Sequence, residues 1–200
     1  MIKRLTLISS SDAHSAAFNR LGREFTLLDM QEESASGVLS SLAAKAVLKT
    51  AEFPPFEGRY YLTGHRGDRP GHNGVEVFYL DNPPEVCPLC GKPFVEGVRQ
   101  RIKRISSGLA ARKQEFVYQM PLIEIIASSL GCGAGSKKAA DLYIKIAGQA
   151  GNESSLWLDD ADVALKGVPD AVAEGIRAVK ENRFKIKYGF DGQYGQILLA

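Results

Sequence analysis

The sequence predicts a mixed α/β fold of the α+β kind, and three observations predict it. Short β-type runs bracket a Cys-x-x-Cys pair in the first half. Two amphipathic helical stretches joined by a glycine-rich hairpin follow it. The last residues alternate about an Asp-Gly turn. The chain has 200 residues, 44% of them hydrophobic and 24% charged, enough for one large core or two small ones. No apolar run is long enough to span a membrane, and the N-terminal Met1-Ile-Lys-Arg4 lacks the apolar stretch of a signal peptide. Three cysteines fit a reducing cytoplasm. There is no low-complexity tract and no internal repeat in the first half.

Leu5–Ser9 has the composition of a buried strand, ending in Ser10-Ser-Asp-Ala-His14. Asp12 and His14 lie two apart and can share a metal. Asp12 also suits a helix N-cap, and the local residues alone favour the cap. Glu24–Asp29 reads as a second strand. A helix follows, capped near Ser34 or Ser36, with Val38, Leu39, Leu42, Ala46 and Val47 on one face. Pro54 and Pro55 close this unit.

Arg59–Leu62 and Val75–Leu80 are β-type runs flanking a loop with His65, Asp68 and His72. Cys87-Pro-Leu-Cys90-Gly91 then forms a knuckle whose tight turn aims two sulfurs at one metal. Two upstream donors complete a tetrahedral structural zinc site. A redox dithiol is the competing interpretation. Pro88 and Gly91 favour the knuckle, because a redox pair should open a helix after a strand.

Val98, Ile102, Ile105 and Leu109 fall at helical spacing, with Arg99, Arg101, Lys103 and Arg104 on the other faces. The net charge of +2 conceals a division: residues 97–150 hold nine basic and three acidic side chains, whereas 1–96 hold ten and twelve and 151–200 six and eight. That local excess predicts an anionic partner. Next, Pro121–Leu130 and Ala139–Ile146 are amphipathic helices joined through Gly131, Gly133 and Gly135, with Ser136 as cap and Lys137 and Lys138 beside it. This is a helix-hairpin-helix pattern, in which helix N-terminal amides meet a DNA phosphate. A nucleotide-binding glycine loop is the alternative, but its flanking strands and Gly-Lys-Ser/Thr ending are missing. Cys132 reads as a small packing residue and Trp157 as core.

Leu156–Leu165, Lys166-Gly-Val-Pro169 and a helix over 170–182 suggest a second hairpin unit. The tail from Phe184 reads as a β-hairpin turning at Asp191-Gly192. Tyr188, Phe190 and Tyr194 there can stack on bases, although packing against the helices is favoured.

Taken together, these motifs resemble PHP-type proteins related to endonuclease Q, a DNA-repair nuclease. The matching stretches are Ser11-Asp-Ala-His14, Leu21-Gly-Arg-Glu24, Glu57-Gly-Arg-Tyr-Tyr61, Gly64-His-Arg66, Cys87-Pro-Leu-Cys-Gly-Lys92, Gly135-Ser-Lys-Lys138 and Gly189-Phe-Asp-Gly-Gln-Tyr-Gly195. The resemblance implies that Asp12 and His14 are metal ligands at the last motif of a PHP barrel, reversing their isolated interpretation. It implies a PHP-like remnant over 1–56, a zinc-knuckle segment over 57–96, and a helix-hairpin-helix domain with a terminal β-hairpin over 97–200. It also implies that the chain is the C-terminal part of a longer protein, since most PHP ligands precede this motif in the family. Such regions occur fused to UvrD-type helicase modules as well. Where the family has a cysteine three residues after the His of Gly-His-Arg, this chain has Asp68. The implied zinc ligands are therefore His65, Asp68, Cys87 and Cys90, with His72 as the alternative.

The expected function is a DNA-binding accessory region of a repair nuclease or PHP–helicase fusion, inactive alone. A divalent metal is expected at the remnant only when the missing region is supplied. A stand-alone metal-dependent phosphoesterase or nuclease using Asp12 and His14 is the alternative.

Overall fold

The computed structural model describes residues 6–106 and 114–199, which form two compact units. Leu109 lies outside the described residues. The first unit combines the segment before Pro54 with the helices up to Arg183. Its sheet has the order β1 (Phe25–Leu28), β2 (Val47–Glu52) and β5 (Phe116–Tyr118), β1 running antiparallel and β5 parallel to β2.

Leu5 lies outside the described residues, and the rest of the predicted Leu5–Ser9 run, Thr6–Ser9, is not a strand. The Thr26 side chain takes up the backbone of Ser9 instead, accepting from its amide and donating to its carbonyl, both at 2.8 Å. Those groups then have no need of a ladder. Helix α1 spans Ala35–Ala43 and is capped by Ser34, whose hydroxyl accepts from the Gly37 amide. Its expected apolar face is shorter than the spacing implied: Val38 and Leu39 are exposed, and Val47 belongs to β2.

The core of this unit is helical. Helices α3 (Leu122–Leu130), α4 (Lys137–Ala150), α5 (Glu153–Leu158) and α6 (Asp170–Lys180) bury Leu122, Ile125, Ile126, Ile146, Leu156, Trp157, Val172, Ile176 and Val179. A Cβ at Gly175 would stand 3.0 Å from Ile125 Cγ2 and 2.9 Å from Ser129 Oγ, so α6 lies close on α3 because that residue has no side chain. Glu153 ties the bundle together. It accepts from the Leu122 amide at the start of α3 and from the Tyr143 hydroxyl of α4, at 2.7 and 2.8 Å. Burial raises its pKa, against the pull of those two bonds.

The second unit holds Pro54–Ser106 among the described residues, together with the tail. Strands β3 (Thr63–His65) and β4 (Val77–Tyr79) pair antiparallel. The predicted run Arg59–Leu62 ends just before β3, and Leu62 bridges in parallel to Phe190. Helix α2 (Val98–Ile105) begins where a Cβ at Gly97 would strike the Leu62 backbone at 2.3 Å. The tail forms the predicted hairpin from β6 (Lys185–Lys187) and β7 (Gln196–Leu198). Asp191 and Gly192 take φ of 47° and 90° between bridged Phe190 and Gln193, as a two-residue type I′ turn requires. This hairpin, expected with the helical domain, instead belongs to the unit carrying the knuckle. Phe190 packs on Phe78 and Tyr188 stacks on Tyr61. No described helix is long and apolar enough to cross a membrane.

Candidate metal centre and nucleic-acid interface

The knuckle is built by its own backbone. The Gly91 amide donates to the Cys87 carbonyl at 2.9 Å and the Cys87 amide to the Lys92 carbonyl at 2.8 Å. Gly91 sits at φ +66°, a conformation costly for any residue with a Cβ. Two histidines from the preceding segment close over the sulfurs. His65 ends β3 and His72 lies in the following loop, and both are fully buried. His65 Nδ1 stands 3.6 Å from Cys90 Sγ, and His72 Nε2 stands 3.4 Å from Cys87 Sγ. All four donor atoms lie within 4.8 Å of one another.

This donor set fits zinc. Bonds of zinc to nitrogen and sulfur in a tetrahedron place the two donors about 3.6 Å apart. The remaining nitrogen of each imidazole faces a backbone carbonyl, His65 Nε2 with Pro93 at 3.0 Å and His72 Nδ1 with Val75 at 2.9 Å. Those contacts fix ring orientation and leave the inward nitrogens free to ligate. Burial, and next the Arg69 cation, lower the pKa of His65 and favour the neutral ring. Burial pushes the Cys87 thiol up, but hydrogen bonds from Cys90 and Leu89 outweigh it, and the net shift is downward.

The fourth position is a correction to the implied ligand set. Asp68 lies outside the group, largely exposed, with Oδ1 3.0 Å from Arg66 Nε. His72 lies in the group instead, because the loop turns back at Arg69–His72 and again at His72–Val75. The residue that steadies this loop was not foreseen. Asp191, buried in the hairpin turn, accepts from the Arg66 amide at 2.9 Å and from the Arg69 guanidinium through both oxygens. An Asp-Gly turn marks a hairpin in sequence but does not reveal a partner 122 positions away.

Asp12 and His14 face each other, with Oδ2 3.6 Å from Nε2, and both side chains are almost fully exposed. No third His, Cys, Asp or Glu joins them in a ligand-like group among the described residues.

The glycine-rich turn joins two helices, α3 ending at Leu130 and α4 beginning at Lys137. Ser136 caps α4, its hydroxyl accepting from the Ala139 amide at 3.3 Å. Only one of the three glycines needs its conformational freedom: Gly131, at φ +60°, terminates α3. Gly133 and Gly135 have no left-handed backbone, are exposed, and would place a Cβ in open space. Lys137 pairs with Asp141 at 3.4 Å, and Lys138 has no ion-pair partner among the described residues. In the Lys166–Pro169 turn, Gly167 is at φ +66°, and Lys145 and Gln149 of α4 donate to the carbonyls of Gly167 and Lys166. On α2, Arg99 and Lys103 share Asp81, Arg104 pairs with Glu96, and Arg101 is free of ion pairs among the described residues. Hydrogen bonding to Lys103 is the main influence lowering the Asp81 pKa.

No family model matches the sequence. An uncharacterized protein of Methanocaldococcus jannaschii is 26% identical over 204 residues, covering 98% of this chain and 26% of the relative. The crystal structure of the lesion-specific endonuclease PfuEndoQ from Pyrococcus furiosus matches with a TM-score of 0.80 and 26% identity, over 100% of this chain and 51% of that one. An endonuclease Q in complex with a 27-mer duplex substrate, bearing an abasic lesion at the active site, matches with a TM-score of 0.76 and 28% identity, over 96% of this chain and 49% of that one. The chain therefore spans about a quarter of the curated relative and about half of each solved protein. Over its whole length it is similar, in both fold and sequence, to about half of the lesion-specific endonuclease Q.

Proposed function

We propose that this chain is the DNA-engaging region of an endonuclease Q-like DNA-repair protein, with a structural zinc in its second unit. The observation that carries the proposal is the match of the entire chain to endonuclease Q, one example of which holds duplex DNA. Zinc is held by His65, His72, Cys87 and Cys90, all of them protein ligands that leave no position open for chemistry. Its contribution is to staple the Arg66–Gly74 loop to the knuckle.

DNA is gripped in the first unit. The α4 amides and the positive end of its dipole face the phosphate, Ser136 orders that end, and Lys137 and Lys138 add charge. Gly131 shapes the turn, while Gly133 and Gly135 leave room for a backbone to come close. Arg99, Arg101, Lys103 and Arg104 supply a further basic helix, of which Arg101 is the most available.

Alone, the chain does not cut DNA. Asp12 and His14 need the further carboxylates and histidines of a PHP-type region, supplied by a longer polypeptide or by a partner. A UvrD-type helicase module is the other companion the sequence resemblance names. The stand-alone phosphoesterase reading is the weaker one, because two exposed side chains do not make a metal site.

The test is fluorescence anisotropy with labelled duplex across a range of salt. Steep, sequence-tolerant salt dependence is expected. Absence of DNA binding would overturn the proposal, and metal-dependent cleavage abolished by Asp12→Ala would overturn its inactive-alone clause.

A further inference from the structure

The second unit carries one surface that neither the metal group nor the helix hairpin uses. Arg59, Tyr60 and Tyr194 come together on it from chain segments far apart in sequence. The guanidinium carbon of Arg59 lies 5.9 Å from the centre of the Tyr60 ring and 5.3 Å from that of Tyr194. Arg59 is exposed, Tyr60 is 47% exposed and Tyr194 is 70% exposed. Two tyrosines this open do not serve the core.

The backbones beneath them are tied by hydrogen bonds. Arg59 Nε donates to the Gly192 carbonyl at 2.9 Å, and the Gly192 amide donates to the Arg59 carbonyl at 2.9 Å. The Gly189 amide bonds Phe56, and the Gly195 amide bonds Glu57. A Cβ at Gly189 would fall 2.1 Å from the Gly58 carbonyl oxygen, and one at Gly195 would fall 2.4 Å from that of Phe56. The two backbones are therefore in direct contact below the cluster, and that contact brings the Cα positions carrying the three side chains to one place.

We propose that Arg59, Tyr60 and Tyr194 form a stacking platform for an unpaired nucleobase. The proposal rests on the DNA-binding reading above and names a second contact for it. Two exposed aromatic rings and a planar cation offer π faces, which any base can use irrespective of sequence. Beyond its bond to Gly192, the guanidinium makes no other hydrogen bond among the described residues, so donors remain for a base edge or its phosphate. A phosphate alone would need no rings. A base within a duplex has both faces covered by its neighbours, so the matching partner is a single-stranded or extruded base.

The experiment uses the full chain with a single-stranded oligonucleotide carrying 2-aminopurine, and with the matched duplex. Stacking is expected to quench 2-aminopurine on the single strand. Tyr194→Leu should abolish most of that quench and weaken single-strand binding roughly 5- to 150-fold, leaving duplex affinity unchanged. Tyr194→Phe, which keeps the ring, should behave as wild type, and Arg59→Gln should weaken the single strand selectively. Because Tyr194 is mostly exposed, circular dichroism of its variants should match wild type. If Tyr194→Leu binds and quenches as wild type does, or loses both DNA forms equally, the platform is overturned while duplex binding stands. If the wild-type chain binds neither form, the platform and the DNA-binding reading fall together.

Discussion

Asp191 and Arg69 form a two-point ion pair, 122 positions apart in sequence, that joins the C-terminal hairpin turn to the loop between His65 and His72. Asp191 is 5% exposed, and a third of the Arg69 side chain remains open to solvent. Replacing Asp191 by Asn keeps one acceptor oxygen but removes the charge, so the partly buried Arg69 cation loses its counter-charge and one of its two hydrogen bonds. Asp191→Asn should therefore destabilise the second unit by about 2 kcal/mol, below the range for a wholly buried pair because Arg69 keeps some water. Urea denaturation followed by circular dichroism measures it. A change within error would show that the pair contributes nothing net.

The same pair sets an acid limit. Burial alone would raise the Asp191 pKa, but the Arg69 guanidinium and the Arg66 amide outweigh it and hold it below the usual carboxylate value of 3.8. A depressed folded pKa contributes stability that is fully present above the unfolded value and is lost as pH falls through the folded one. Wild type should therefore lose stability more steeply than Asp191→Asn below about pH 4. Parallel stability curves in that window would exclude the mechanism.

For the metal, His72 and Asp68 make opposite predictions. Protein purified without added metal should carry about one zinc per chain, and Asp68→Ala should retain it. His72→Ala and Cys87→Ser should lose it and loosen the second unit, since binding of a structural metal is also folding energy. Elemental analysis with and without chelator measures this. Zinc loss in Asp68→Ala with retention in His72→Ala would reverse the ligand assignment.

The helix hairpin separates charge from shape. Replacing Lys137 and Lys138 together by Ala should flatten the dependence of log affinity on log salt by about 1–2 units. Gly133→Val should leave stability almost unchanged, because its Cβ meets nothing, yet weaken DNA binding by blocking close approach. Gly131→Val should instead cost about 1–2 kcal/mol of stability, because of its left-handed backbone. Equal DNA affinity in wild type, Gly133→Val and the double lysine variant would reduce the hairpin to a structural connection.

The sequence by itself determined what is local. The Cys87–Cys90 knuckle, the Ser34 and Ser136 caps, helices α2, α3 and α4, and the Asp191-Gly192 turn all follow from spacing and turn chemistry within a few residues. Pairing at long range was decided elsewhere. Leu5–Ser9 has strand composition, yet Thr26 satisfies Ser9 and no strand forms over the described Thr6–Ser9. His65, Asp68 and His72 are chemically equal candidates along the chain. Only the fold of the 66–76 loop turns His72 inward and leaves Asp68 with Arg66. Likewise, Asp191 is an ordinary turn residue until the hairpin lies against Arg66 and Arg69, and Tyr194 is an ordinary aromatic until Arg59 stands beside it. The physical reason is common to all of these. A turn or cap is decided by neighbours in sequence, whereas burying a charge, completing a metal tetrahedron or gathering aromatic side chains needs partners that only tertiary packing supplies.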